Sequence, residues 1–173
     1  KYYQTKGGYE SLIVGCYSNL KNIYNTTTYQ IFTQQGTDVF TQNYPTEVAA
    51  MNQYTTTYQS NNGTIYAMWS SYFNALNNVN AAIDRSKSVI LKTDDPDGIE
   101  PSALTQLVAE AKALRAWYLF EIVRNWGQGP LKINESKEPS YTVEYSNGAA
   151  FYQQIFTDLE EAIRVLPWRQ TGS

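Results

Sequence analysis

Four stretches of the chain repeat apolar residues at spacings of three and four, the signature of a helix with one buried face. In residues 7–22 the face is Tyr9, Leu12, Ile13, Cys16, Tyr17 and Leu20. In residues 64–88 it is Ile65, Trp69, Tyr72, Leu76, Val79 and Ile83, widened by Phe73. The third stretch, residues 102–126, carries two such faces. Leu107, Ala111, Leu114, Tyr118 and Ile122 form one; Ala113, Ala116, Trp117, Phe120 and Val123 form the other. A helix apolar around so much of its circumference is expected at the centre of a fold. Ser102 is placed to cap its start, Gly127 to end it, and Pro130 to stop it resuming. The fourth stretch, residues 148–166, repeats Tyr152, Ile155, Leu159, Ala162 and Leu166, with Phe156 and Ile163 beside them and Pro167 at the end.

Between the first and second helices the period lapses. Residues 21–63 are rich in Thr, Gln, Asn and Tyr, with short helical turns expected only near residues 46–58. Its five tyrosines argue against plain disorder, which is poor in aromatics. A second polar segment, residues 132–145, is expected to be extended. The fold class is therefore all-α, an antiparallel helix stack with a long irregular loop between helices one and two. Helices two and three have the layout of a tetratricopeptide repeat pair.

Composition narrows the chemistry. The net charge is -3 with a pI near 5, which gives no electrostatic footprint for nucleic acid. Histidine is absent, and with it the commonest general base and metal ligand. Cys16 is the single cysteine, so neither an internal disulfide nor a multi-cysteine zinc site can form. No apolar run is long enough to span a bilayer. No cofactor and no metal is expected. The chain opens at Lys1 with no signal peptide and stops just past a helix pattern, so it is read as a piece of a longer protein.

Two groups of carboxylates raise glycoside hydrolysis: Asp94, Asp95 and Asp97, and Asp158, Glu160 and Glu161. That reaction needs two carboxylates facing each other across a cleft, one of them in an apolar pocket. The first group sits beside Pro and Gly in a turn, and Glu160 and Glu161 fall on a polar helix face, so no catalytic residue is assigned. The turn at Asp94–Gly98 also lacks the spacing of a calcium loop. Arg115, Glu121 and Arg124 on the third helix are read as structural, with Glu121 and Arg124 three residues apart and able to pair.

The candidate ligand chemistry is neutral. The chain holds 15 Tyr against 6 Phe and 4 Trp. The aromatics divide: Trp69, Tyr72, Phe73, Trp117, Tyr118 and Phe120 keep the helical period and are read as core. Tyr44, Tyr54 and Tyr58 instead lie in the aperiodic segment beside Asn43, Gln53, Asn61 and Asn62. An aromatic face stacks on the apolar face of a sugar ring while amides bond its hydroxyls. Asn43, Tyr44, Tyr54 and Tyr58 are thus candidate ligand-binding residues.

The third helix also carries a resemblance. Glu110-Ala111-Lys112-Ala113-Leu114-Arg115-Ala116-Trp117-Tyr118-Leu119-Phe120 resembles the "EAKFLRAYYYF" helix of the SusD/RagB family. Ile122-Val123-Arg124, Trp126-Gly127 and Gly129-Pro130-Leu131 resemble its "LVRLYGDVPL" continuation. Tyr9–Leu20 is similar to that family's first helix. Trp69, Tyr72, Phe73, Asn80 and Ile83 are similar to its second, and Ile155, Asp158-Leu159, Ala162 and Leu166-Pro167 to its "I..DL..A...LP" helix. Gly36-Thr37-Asp38 resembles its "SDE" loop, although Val39 replaces the second acid; this adds Asp38 to the candidate ligand-binding residues.

The resemblance implies that residues 1–173 are the N-terminal, tetratricopeptide-like region of a nutrient-binding lipoprotein of Bacteroidetes. Such proteins sit on the cell-surface side of the outer membrane, held by a lipidated N-terminal Cys. They pass oligosaccharide, or peptide in some members, to a SusC-like TonB-dependent transporter. The anchor is not in this sequence, and Cys16, in mid-helix, is not it. The alternative is a tetratricopeptide-like protein–protein scaffold with no small ligand.

Overall fold

The computed structural model describes residues 2–40, 47–55, 59, 61–138 and 142–168, with backbone only at 47 and 48. Among these residues it is all-α, as the periodicity requires. The helices are α1 (Lys6–Tyr24), α2 (Thr27–Gln34), α3 (Glu47–Gln53), α4 (Gly63–Arg85), α5 (Pro101–Trp126) and α6 (Gly148–Val165). Two 3-10 turns, Tyr2–Gln4 and Ser86–Ser88, complete the helical elements, and pairing in the sheet manner is confined to two isolated bridges.

The four long helices match the expected stretches to within a few residues, and two details differ. Ser102 does not cap α5: the cap position is Glu100, with Pro101 as the first helical residue. Proline suits that position because its missing N–H would have had no helical partner. At the far end Gly127 adopts φ 74° and its N–H donates to the Val123 carbonyl (2.8 Å), so a residue free of β-carbon strain closes the helix. The second difference is α2. It has eight residues, too few to show a long stripe, and it is capped by Thr26, whose Oγ1 accepts from the Tyr29 N–H.

The chain divides into two compact units, one comprising Lys1–Ser18 and Asn74–Ser173, the other Asn19–Phe73. In the larger unit α1 and the second half of α4 run antiparallel. The Tyr9 hydroxyl donates to the Ala82 carbonyl (2.9 Å), and further along α1, toward the start of α4, the Cys16 thiol donates to the Asn78 carbonyl (3.6 Å). The pair α5 and α6 is antiparallel by the same logic: Lys112 pairs with Glu161, and Arg115 with Asp158.

The Arg115–Asp158 contact is the strongest feature of the core. Both residues are buried, at 7% and 1% exposure. Nε donates to Oδ2 at 2.8 Å and Nη2 to Oδ1 at 2.6 Å, a bidentate geometry that only arginine offers a carboxylate. Nη1 donates to the Ile133 carbonyl (2.9 Å) and to Asn80 Oδ1 (3.4 Å). Asn80, fully buried on α4, donates through Nδ2 to the carbonyls of Lys132 and Asn134 (3.0 and 3.2 Å). Gln154 Nε2 bonds the Asp158 carboxylate (3.1 Å). One cation thus joins α5, α6, α4 and the segment after α5.

That segment was expected to be extended, and it is stitched along α4. Ser136 N–H donates to Asn77 Oδ1 and Glu135 N–H to Asp84 Oδ2, both at 2.7 Å, and Arg85 pairs with Glu135. Elsewhere on α5, Glu121 is buried and accepts from Arg124 three residues on (2.7 Å).

The face of α6 differs from the expected stripe. Phe151, Ile155, Asp158 and Ala162 are buried, whereas Tyr152, Phe156, Leu159 and Ile163 are exposed. Placing Asp158 in the buried stripe, opposite Arg115, turns the helix so that its second apolar stripe faces outward. Trp117 on α5, expected in the core, is likewise 44% exposed.

Two predictions follow from this core. Arg115→Met or Asp158→Asn should each lower unfolding free energy by about 3–5 kcal/mol, because each leaves a buried charge uncompensated. Arg115→Met with Asp158→Leu should cost less than the sum of the singles; urea unfolding checks this, and simple additivity would show that the two residues act separately. The second prediction concerns alkaline pH. Burial raises the Cys16 thiol from its ordinary 9.0 to about 11. Burial, then the hydrogen bond to Glu110, raises the Tyr17 phenol from 10.0 to about 12. The unfolded chain therefore loses these protons first. Stability is full below about pH 9 and falls as pH rises through the folded values. The Cys16 part is on the order of 2 kcal/mol. Urea melts at pH 8 and 11 should show the loss, and Cys16→Ala should remove the Cys16 share of it while the Tyr17 share remains.

Candidate functional site

The sequence candidates centre on the smaller unit, where the local chain order fixes their positions. α2 ends at Gln34, and Gly36 reverses the chain at φ 80°, a conformation that disfavours any residue with a β-carbon. Both backbone groups of Gly36 are engaged by the end of α3. Its N–H donates to Asn52 Oδ1 (3.3 Å), and its carbonyl accepts from the Tyr54 hydroxyl (3.0 Å). A β-carbon at position 36 would lie 2.5 Å from that hydroxyl oxygen. Tyr54 itself has φ 50°, so the residue after α3 is held in a left-handed turn.

The result is a clamp between two segments 18 residues apart. Tyr54 is pinned at its hydroxyl and is 69% exposed. Asp38 is exposed two residues beyond the clamped glycine, followed by exposed Val39 and Phe40. Of the candidates, Asp38 and Tyr54 therefore belong to segments that the Gly36 clamp ties together. Asn43, Tyr44 and Tyr58 lie outside the described residues. Asn62, one of the amides flanking the tyrosines, is buried and caps α4: its Oδ1 accepts from the N–H groups of Thr64 and Ile65 (3.0 and 3.3 Å).

A concavity in the larger unit was not anticipated. A cleft of about 270 Å³ is lined by Tyr2, Tyr3, Ser11, Leu12, Cys16 and Asn78, among others. Tyr2 and Tyr3 meet edge to face at 5.4 Å, and Arg85 lies over the Tyr3 ring. Their turn is anchored on both sides. Thr5 Oγ1 donates to the Tyr2 carbonyl (2.8 Å), and Ile90 N–H donates to the Gln4 carbonyl (2.8 Å). The adjacent tyrosine pair was legible as composition; its seat against α1 and α4 depends on contacts about 80 residues apart, which no local period encodes.

The carboxylates offer other chemistry. Asp158 is consumed by Arg115. Lys112 bonds Glu161 and holds its carboxyl below the usual range. Asp94, Asp95 and Asp97 are exposed, and the Asp95 carboxylate accepts from the Asp97 N–H within its own turn (2.9 Å). None of these is an acid seated in an apolar pocket opposite a second carboxylate. Among the described residues no group of three or more Cys, Asp or Glu is placed to hold a metal ion, and no helix is long and apolar enough to cross a membrane.

An all-α fold with antiparallel helix pairs defines the class. The family follows from comparison: the chain belongs to the SusD-like family, matching over residues 6–171 a family model described as "Starch-binding associating with outer membrane". A SusD-like protein, P25, from Formosa agariphila is 26% identical over 137 residues, which is 75% of this chain and 25% of that protein. A SusD superfamily protein from Bacteroides vulgatus shares the fold with a TM-score of 0.82 at 21% identity, covering 99% of this chain and 37% of that one. A laminarin binding SusD-like protein shares it at 0.77 and 20% identity, covering 95% and 35%. The chain thus spans about a quarter to two fifths of the length of these relatives, and its helices form the tetratricopeptide-like stack of that superfamily.

The clamp predicts a local effect. Tyr54→Phe removes one hydrogen bond worth about 1 kcal/mol. Amide exchange at Gly36 should speed up severalfold with global stability little changed. Gly36→Ala should open the same segment further, since it forces both a strained φ and a clash. Unchanged exchange in both variants would show that the contact does not order the loop.

Proposed function

We propose that the chain is the N-terminal part of a non-catalytic, cell-surface glycan-binding lipoprotein. It takes an oligosaccharide at the loop joined by the Gly36–Tyr54 clamp and helps pass it to a SusC-like TonB-dependent outer-membrane transporter. The observation that carries the ligand reading is the clamped Tyr54: a phenol held by its hydroxyl and 69% exposed, in a clamp shared with an amide and leading to the Asp38 loop. A fixed ring loses little conformational freedom when a sugar stacks on it. Asp38, Asn43, Tyr44 and Tyr58 are proposed as the other ligand contacts of this segment. Family membership supports the transporter, the lipid anchor and the outer-membrane location.

Recognition by stacking and neutral hydrogen bonds depends weakly on salt, because screening acts on charges. Starch and laminarin are the saccharides named among the relatives, so both belong at the head of a glycan panel. In affinity electrophoresis with a family-length protein, Tyr54→Ala should weaken retention about tenfold, the effect of losing an interaction of ~1.4 kcal/mol. Asp38→Ala should weaken it less, and neither change should abolish association with the transporter. Absence of retention on every glycan would sink the saccharide reading and turn attention to peptides. Loss of transporter association alone would favour the protein–protein scaffold.

A further inference from the structure

Two concavities of the larger unit are walled by aromatic rings, and they differ in chemistry. The groove between α5 and α6, of about 310 Å³, is lined by Trp117, Phe120, Tyr152 and Phe156 among others, and by no charged or amide side chain. A saccharide would find few partners there for its hydroxyls. The cleft of about 270 Å³ beside Tyr2 and Tyr3 mixes both kinds of surface. Tyr2, Tyr3 and Leu12 supply apolar area, Ser11 a hydroxyl and Asn78 an amide, and no charged side chain lines it.

The polar and aromatic groups are held ready. The two rings meet at 66°, so they form two walls and not one plane. Arg85 lies over the Tyr3 ring at 5.3 Å while its guanidinium bonds Glu135, which fixes that ring and leaves no open cation to attract an anion. Tyr2 is 62% exposed. Its hydroxyl donates to Ser11 Oγ at 3.5 Å, long for a bond that is ordinarily ~2.7 Å, so a ligand hydroxyl can take its place. Ser11 spends its own proton on the Gly7 carbonyl (2.7 Å) and keeps its oxygen as an acceptor.

The backbone is fitted to this geometry. The Tyr2 carbonyl accepts from both the N–H and the hydroxyl of Thr5, and the Thr5 hydroxyl oxygen accepts from the Gly8 N–H (3.2 Å). A β-carbon at position 8 would run into the Tyr2 carbonyl, so the turn can lie on α1 only over glycine. Gly15, on the wall of the cleft, is the opposite case: a β-carbon there meets nothing within 4 Å.

We propose that this cleft is a second saccharide subsite, which takes one or two rings of a neutral oligosaccharide. Its volume lies just below the ~300–1,000 Å³ of sites for drug-sized ligands. A charged peptide or a lipid headgroup would find no countercharge in it, whereas a sugar ring finds apolar walls for its face and a hydroxyl and an amide for its edge. Rings already fixed cost little to order on binding. The proposal rests on the glycan reading for the class of ligand. Its geometry is independent of the Gly36–Tyr54 loop, since every lining residue belongs to the larger unit.

Tyrosine nitration reads the cleft directly. A family-length polypeptide carrying this sequence is treated with tetranitromethane, with and without soluble starch or laminarin oligosaccharides at millimolar concentration. Residues 2–6 are followed as a tryptic peptide by mass spectrometry. A Tyr54→Ala background silences the first proposed site. In that background, oligosaccharide should slow nitration of Tyr2 and Tyr3 by about threefold or more, the effect of about two-thirds occupancy. Gly15→Leu, whose β-carbon enters open space and whose side chain fills the cleft, should remove that protection. Unchanged rates at Tyr2 and Tyr3, with Tyr54 protected in the unsubstituted chain, would overturn the subsite and leave the first glycan site standing. Unchanged rates at all three tyrosines across the glycan panel would overturn both. Protection that survives Gly15→Leu would also overturn the subsite, since it then arises outside the cleft. If Gly15→Leu does not fold, Asn78→Ala on the exposed side of α4 takes its place and should weaken the protection.

Discussion

The bidentate pair between Arg115 and Asp158 is the constraint on which the larger unit depends. A buried ion pair contributes little net stability, because the desolvation of two charges offsets most of their attraction. What it imposes is geometry. An arginine this buried must satisfy its N–H groups, and here the Asp158 carboxylate, the Ile133 carbonyl and the Asn80 amide share that task. Sliding α6 along α5 by one residue would break two short bonds at once. Moving the segment at residues 132–134 would strand a guanidinium donor and the Asn80 amide together. The pair thus fixes the register of α5 against α6 and the path of the chain after α5.

The same constraint explains the surface. Holding Asp158 toward α5 sets the rotation of α6 and carries Tyr152, Phe156, Leu159 and Ile163 outward. Holding Arg115 inward similarly leaves Trp117, two residues on, half open. A charge pair in the core has therefore produced an apolar groove outside it. By contrast, the exposed aromatics of the smaller unit sit where Gly36 and Tyr54 tie the backbone, on a loop positioned by two short helices, α2 and α3. Rigid helices with tied loops are a common division between support and recognition.

The helices were legible because long, periodic stretches carry redundant information: missing one apolar residue in α4 or α5 does not hide the rest. The motif of α5 was legible for the same reason, and it led to the family. α2 was not, since two turns with Tyr29, Ile31 and Phe32 among Thr and Gln are too short to give a sustained stripe. The face of α6 was misjudged because an aspartate reads as polar and outward until its partner is known, and Arg115 lies 43 residues away in sequence. For the site, residue type was readable and arrangement was not. Tyr54 stands out as an aromatic in a polar segment, but its bond to Gly36 closes an 18-residue loop. The Tyr2–Tyr3 cleft requires closure over a longer distance still.

These observations also bear on why the core tolerates an ion pair at all. Ile155, one of the two buried residues that line the groove, belongs to the same inward stripe as Asp158, and Ala116, the other, follows Arg115 directly. The pair and the groove are therefore set by neighbouring residues of the same two helices. Water admitted at the groove would raise the dielectric around the pair and compete for the guanidinium, loosening the register that the pair imposes. The polar core and the apolar surface are in this sense one design: the first sets the rotation that exposes the second.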